Sequence, residues 1–459
     1  MESPKFKLRD YQEAQCTSVM QSIAKDNIYL DRSSTGSGKT YVSLEAAKRF
    51  EARPFVVCPK YAIPTWEKVA AEAGVPITIT HYEALLAAVM KTVVGTEKVG
   101  PGKTKATRKR VITPKKELTK TQLANLHGWW EVAKQKWEWN LPDNTLLIFD
   151  EAHKLTGESS QMSRMLMACR DQEIPTLLLS ATPYYSPLKM RAIAYAFNLT
   201  PNKLKATFHG WCLQHGCFLG NYNQPTWSGD PSSWDSLRAQ MGDRMGGIDV
   251  NQIPDYPENQ YIIKMLASSG NPDEAYNKAL QALHDDAETA AVQAIRARQM
   301  DEWNLRESIL AMAKDLHLQG NSVPIVVNFV ETGKWLAKNL KCAFISGEVP
   351  QDERAKAIER FQANEDHFLL LSMGAGSTSI SLHDLQGRPR TSIILPGVDS
   401  TNFLQSLGRC WRNGSLSKTH QFIIFAEGSS VGLKIAGNIK KKIKAIGTVT
   451  DTDLDIFKS

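Results

Sequence analysis

The stretch Thr35-Gly36-Ser37-Gly38-Lys39-Thr40 lies between a short apolar run, Ile28-Tyr29-Leu30-Asp31, and a helical pattern over residues 41–50. A glycine-rich turn joining a strand to a helix commits a chain to an α/β layout, because the strand must be covered by the helix that follows it. The glycines let the backbone curl until successive N–H groups face one point, and the helix start adds its positive end there. That is the physics of a phosphate cradle. Gly38, Lys39 and Thr40 supply the ending that such loops need, but the usual first glycine, five places before Gly38, is Ser33. Loops of this kind serve many protein classes, so the motif alone leaves function open.

The alternation continues along the chain. Apolar runs at Asn27–Leu30, Pro54–Cys58, Ile77–Thr80, Thr145–Phe149 and Thr176–Leu179 are separated by helical patterns. It returns at Ile325–Phe329, Ala343–Ile345, Phe368–Leu371, Ser392–Leu395 and Gln421–Phe425. The expected fold class is therefore α/β, with two parallel-sheet lobes. Residues 205–260 are rich in Trp, Gly, Pro and Asn without periodicity, while 272–318 are helical by pattern. A mainly helical connector or insertion is expected over 201–320, between a first lobe at 1–200 and a second at 321–459.

Charge is unevenly spread. Of a net +7, more than the whole comes from residues 98–120, which hold nine Lys or Arg and one acid, Glu117. This basic insertion, within about 91–140, is expected to be a phosphate-contacting arm rather than only a solvated loop. No apolar run approaches the roughly 20 residues of a membrane span, and the start MESPKFKLRD has no signal-peptide core, so no membrane partner is expected. Seven scattered cysteines suit a reducing, cytoplasmic or otherwise intracellular compartment. His209, Cys212, His215 and Cys217 match no standard zinc spacing and are expected in a core. Trp129, Trp130, Trp137 and Trp139 are expected to pack a helix against the lobe.

A second carboxylate site stands at residues 145–153, TLLIFDEAH, where an apolar strand ends in Asp150 and Glu151. Together with the phosphate loop this is the equipment for ATP hydrolysis with Mg²⁺. Lys39 would reach the β- and γ-phosphates, and Thr40 and Asp150 would serve the metal. Glu151 would orient or deprotonate the attacking water.

TGSGKT, then DEAH, then Ser180-Ala181-Thr182-Pro183, resembles the superfamily 2 helicases and translocases. The resemblance extends from LRDYQ (8–12) through VVCPKYAIPTW (56–66), ITHYEAL (79–85) and MGAGSTSISL (373–382) to QSLGRCWR (405–412). It implies two RecA-like lobes and a role for Gln12 in reading adenine, beside the loop residues Thr35, Gly36, Ser37, Gly38, Lys39 and Thr40. It implies nucleic-acid contacts from Pro59, Lys60, His81, Tyr82, Gly376 and Ser377, and coupling through His153, Ser180, Thr182 and Gln405. Arg409 and Arg412, three apart on one helical face, would act on the γ-phosphate in a cleft completed by both lobes.

Within that superfamily the chain is most similar to Swi/Snf-type DNA translocases, of a minimal bacterial or bacteriophage kind. An ATP-dependent DNA translocase or helicase is implied, with duplex or branched DNA as partner rather than RNA. The alternatives are a DEAH-type RNA helicase and a nucleotide-dependent nucleic-acid scaffold without motor function.

Overall fold

The computed structural model describes residues 6–86, 88–98, 104–114, 128–131, 136–157, 160–184, 186–220, 223–229, 233–271, 273–274, 277, 287–376 and 380–450. The chain divides into two compact units, with the boundary between Asp249 and Val250. Each is built on its own parallel sheet.

The strands of the first unit are β1 (Ile28–Asp31), β2 (Arg53–Cys58), β3 (Thr78–His81), β4 (Ala88–Lys98), β5 (Thr104–Pro114) and β6 (Gly128–Glu131). They continue with β7 (Lys136–Trp139), β8 (Thr145–Asp150), β9 (Thr176–Leu179), β10 (Cys217–Leu219), β11 (Pro225–Trp227) and β12 (Met245–Gly246). Among the described residues, six of them form a parallel sheet in the order β12-β1-β9-β8-β2-β3. Strands buried on both faces are apolar throughout, and alternate residues face opposite cores. Tyr29, Val56, Ile148 and Leu177 pack with the helices Asp10–Asp26, Lys39–Arg49 and Ile63–Ala73. Leu30, Val57, Phe149 and Leu178 pack with the helix Gln161–Asp171 on the other side.

That second face corrects the expected connector. Phe208, Trp211 and Cys212 of the helix Lys205–Gln214, and Trp234, Leu237 and Met241 of Ser233–Met241, lie in the same core as Phe149. Residues 201–249 therefore complete the first unit. The helix Arg306–Leu318 instead buries Ile309, Met312 and Leu316 against the second sheet. His215 stacks on Trp211 at 4.4 Å, its Nδ1 lying 2.7 Å from the Trp211 carbonyl.

The basic region is extended rather than featureless where it is described. β4 and β5 pair antiparallel from Ala88↔Pro114 to Lys98↔Thr104, while 99–103 and 115–127 fall outside the described residues. Trp137 and Trp139 sit on β7, not on a helix, two residues apart and both buried, with rings 5.5 Å apart at 70°. Residues two apart share one face of a strand, whereas on a helix they would point to nearly opposite sides.

In the second unit β13 (Asn259–Leu266), β14 (Val323–Val327), β15 (Phe344–Ile345), β16 (Phe368–Ser372), β17 (Thr391–Ile394) and β18 (Thr419–Ala426) form a second sheet. The order among the described residues is β13-β18-β17-β14-β16-β15, all parallel. Glu302, buried, accepts from the Asn328 and Phe329 backbone N–H groups and from Asn328 Nδ2, each at 2.9 Å. One carboxylate thus fixes the turn between β14 and the helix Val330–Leu340.

Candidate active site

Three strand ends lay out the site. Asp31 of β1, Leu179 of β9 and Asp150 of β8 are in register across the first sheet. The loops after them therefore open at one edge, the carboxyl edge where open α/β sheets bind ligands. In the loop after β1, Thr35 and Gly36 make the turn and Gly38 caps the helix Lys39–Arg49, of which Thr40 is the second residue. Gly36 and Gly38 have φ of 87° and 92°, a region closed to most side chains. Gly38 is doubly constrained, because a Cβ there would lie 2.2 Å from Gln12 Nε2.

Gln12 is seated against this loop from the helix Asp10–Asp26. Its Nε2 donates to the Ser37 carbonyl at 3.0 Å, and its Oε1 accepts from Arg9 N at 3.0 Å. Lys39 Nζ donates to the carbonyls of Ser33 and Ser34 at 2.7 and 3.2 Å, so its ammonium lies over the turn. The Ser37 hydroxyl oxygen is buried with no hydrogen-bond partner among the described residues. Positive-φ glycines, a lysine across the turn and a spare buried hydroxyl fit a phosphate chain.

Ser33 has a structural use that its position in the motif did not disclose. Its N–H donates to Asp31 Oδ1 at 2.8 Å, and its hydroxyl accepts from Ile248 N at 2.8 Å. On either side, Arg32 N donates to Gly246 O and Ser34 N to Ile248 O. Residues 246–248 thus run beside the loop as a strap, leading out of β12. Gly247 is required there, since a Cβ would meet Ser33 N at 2.5 Å.

The acid pair follows β8. Asp150 Oδ1 accepts from Glu151 N at 3.0 Å, and Oδ2 accepts from Trp66 Nε1 at 2.9 Å. Lost hydration and the adjacent Glu151 push the Asp150 carboxyl up to about 6, against the Trp66 hydrogen bond and the Lys39 charge. Two carboxylates side by side at a poorly hydrated edge call for a cation, and Thr40 with Asp150 offers the hard oxygens that Mg²⁺ takes. Glu151 itself has φ 55° and ψ 52°, left-handed for a residue with a Cβ, at a cost on the order of 1–2 kcal/mol.

The residues expected to couple nucleotide state gather next to it. His153 Nδ1 lies 3.2 Å from Glu151 Oε2 and 3.4 Å from Ser180 Oγ. Ser180 Oγ also accepts from Thr182 N at 3.3 Å, and the Thr182 hydroxyl is buried with no partner among the described residues. Of the expected nucleic-acid residues, Lys60 is exposed while Pro59 is buried at the start of the turn Lys60–Ala62. His81 caps the short helix Tyr82–Leu85. Tyr82 is a correction: its ring is in the core, and its hydroxyl donates to the Asp150 carbonyl at 2.7 Å.

In the second unit, Gln405 is half-buried on the helix Ser400–Leu407. Arg409 and Arg412 are not on a helical face, because Gly408 ends the helix before them. They converge all the same: both donate to the Ile380 carbonyl, and Arg412 Nε also donates to Gly408 O at 3.0 Å. Gly376 ends the short helix Met373–Gly376, and Ser377 lies outside the described residues.

A phosphate loop with an acid pair level with it on one sheet edge, followed by a second parallel-sheet unit, defines a nucleotide hydrolase with two α/β lobes. Residues 5–185 match the family described as Type III restriction enzyme, res subunit, and residues 305–414 match the Helicase conserved C-terminal domain. A protein of Acanthamoeba polyphaga mimivirus, named "Putative ATP-dependent RNA helicase L364", is 29% identical over 479 residues, covering 98% of this chain and 85% of its own length. A solved structure titled "S. cerevisiae Dbp5 bound to RNA and ADP BeF3" aligns over 95% of this chain and 88% of that one, at 13% identity and a TM-score of 0.45. The chain is an ATP hydrolase, similar in both of its units to superfamily 2 helicases.

Proposed function

We propose that this chain is an ATP-driven motor that moves along or remodels DNA. The observation that carries the reading is the level placement of Lys39 and Thr40 with Asp150 and Glu151 on one sheet edge, next to the segments 56–66 and 79–85. Lys39 leaves the carbonyls of Ser33 and Ser34 for the phosphates of ATP. Thr40 and Asp150 would hold Mg²⁺, which when bound would offset phosphate charge. Glu151 orients the attacking water, and His153 with Ser180 holds Glu151 in place. Arg409 and Arg412 act on the charge that develops at the γ-phosphate.

DNA as the track rests on the Swi/Snf-like form of segments 56–66 and 79–85, and the family matched at residues 5–185 carries the name of a restriction enzyme. RNA is the second reading, favoured by the name of the mimivirus relative. ATPase assays of the purified chain with duplex DNA, single-stranded DNA and RNA decide between them. Stimulation by DNA is expected. Stimulation by RNA alone would replace DNA with RNA, and turnover indifferent to every nucleic acid would overturn the motor.

A further inference from the structure

Asp150 is gripped by two aromatic donors that do not belong to its own strand. Trp66 Nε1 donates to the carboxylate and the Tyr82 hydroxyl donates to the main-chain carbonyl, at 2.9 and 2.7 Å. Both side chains are fully buried, at 1% and 0% exposure. With Glu151 N on the other carboxylate oxygen, the carboxylate cannot rotate without losing a hydrogen bond.

The Trp66 bond is a selective one. Trp137, Trp211, Trp227 and Trp234 each bury an indole N–H that meets no acceptor among the described residues. Trp66 by contrast aims its N–H at the one carboxylate expected to serve the metal. A hydrogen bond from a neutral donor to a carboxylate is also stronger than one to a carbonyl.

Topology explains why these two side chains arrive there. In register, Phe149 of β8 pairs with Val57 of β2, and Val57 and Cys58 of β2 pair with Thr80 and His81 of β3. The chain leaving β2 runs through exposed Lys60 into the helix that carries Trp66. The chain leaving β3 runs from His81 directly into Tyr82. The first of the two segments assigned to nucleic acid therefore joins exposed Lys60 to an inner anchor on Asp150, and the second joins half-buried His81 to another.

We propose that Trp66 and Tyr82 are positioning residues of the ATP site, and that nucleic acid held by residues 59–66 and 81–85 raises the hydrolysis rate through them. This rests on the reading of the site as a nucleic-acid-stimulated ATPase. Engagement of the outer parts fixes the anchors, and the anchors fix Asp150 in the orientation that serves the metal. Uncoupled from them, the carboxylate is free to turn and the metal is held more loosely.

Trp66→Phe removes the N–H and keeps an aromatic ring, while Tyr82→Phe removes only the hydroxyl. Three quantities are measured for each variant in the full chain. These are Mn²⁺ affinity by paramagnetic resonance with a non-hydrolysable ATP analogue, kcat and KM with and without DNA, and DNA binding by fluorescence anisotropy. Trp66→Phe is expected to weaken Mn²⁺ binding about tenfold, the usual effect of losing a metal's outer-shell partner. In both variants the ratio of stimulated to basal kcat should fall several-fold, with KM for ATP and DNA affinity little changed. A parallel fall of basal and stimulated kcat with unchanged Mn²⁺ affinity would mean a packing role only and would overturn the proposal. Absence of stimulation in the unsubstituted chain would instead overturn the motor reading and the coupling with it, and the Mn²⁺ measurement would still decide the positioning of Asp150.

Discussion

Arg409 and Arg412 donate to the same acceptor, the carbonyl oxygen of Ile380, at 3.2 and 3.3 Å. They differ in surroundings: Arg409 is buried, whereas Arg412 is half-exposed. One backbone oxygen thus brings together two guanidinium groups that would otherwise repel.

If Arg412 meets the γ-phosphate, Arg412→Ala should bind ATP normally and lose at least about a thousandfold in turnover, the effect typical of such an arginine. Arg409→Ala should in addition lower the melting temperature, because it vacates a buried site. Binding of a fluorescent ATP analogue, single-turnover hydrolysis and thermal melts separate the two. Equal loss of ATP binding in Arg412→Ala would mark that arginine as structural.

Lys39→Ala and Glu151→Gln should each abolish stimulated hydrolysis while leaving DNA affinity within about twofold. For Glu151 there is a second expectation from its left-handed backbone. Glu151→Gly should relieve on the order of 1 kcal/mol of strain and raise the melting temperature while removing activity. A drop in melting temperature would show that the Glu151 side chain contributes more than its backbone costs.

The strap beside the phosphate loop makes a separate prediction. Ser33→Ala leaves Ile248 N without its acceptor, a loss of about 1–3 kcal/mol for a buried donor. Gly247→Ala should be worse, because the Cβ meets backbone atoms that cannot move aside. Both should raise KM for ATP more than they lower kcat, since they disturb the cradle and not the acid pair. Ser33→Gly, which restores the commoner loop residue, should behave as Ser33→Ala does. An unchanged KM in all three variants would show that the loop holds its shape without the strap.

Asp301 gives a pH signature in the second unit. It is buried, and lost hydration pushes its carboxyl up to about 6 from an ordinary 3.8. The folded state therefore prefers the protonated form. The stability linked to that preference is complete below about pH 4 and is lost as the pH rises through 6. Asp301→Asn should be more stable than the parent at pH 8, by an amount on the order of 1–2 kcal/mol, and match it near pH 4. Identical pH profiles for the two proteins would show that the Asp301 carboxyl ionises alike in the folded and the unfolded chain.

What could be read in advance was local. The phosphate loop, Asp150-Glu151 and most sheet strands are defined within a dozen residues by apolar runs, glycines and the helix that follows. Strands escaped notice where those cues are absent. β12 is two residues, Met245-Gly246, and β13 is a half-exposed edge strand whose residues alternate poorly. The helices at 205–214 and 233–241 lie in a stretch rich in Trp, Gly, Pro and Asn without periodicity, so no amphipathic pattern announced them or named the sheet that covers them. The turn at Gly408 was legible in principle, since a glycine after a helical run is a common stop. The bonds from Trp66 and Tyr82 to Asp150 and from Ile248 to Ser33 were not, because hydrogen-bond partners 84, 68 and 215 residues apart leave no trace in spacing.

The pairing of β1 with β12 has a consequence for how the protein is made. On the ribosome β1 gains its neighbour β9 when residue 179 has emerged, but its outer edge stays open until Met245 and Gly246 follow. At about 5–20 residues per second, the interval between β1 and β12 lasts roughly 10–40 s. During that time the nascent lobe carries a bare strand edge next to a phosphate loop that lacks its strap. A four-residue strand is a poor template for mispairing, so its brevity protects the chain during synthesis.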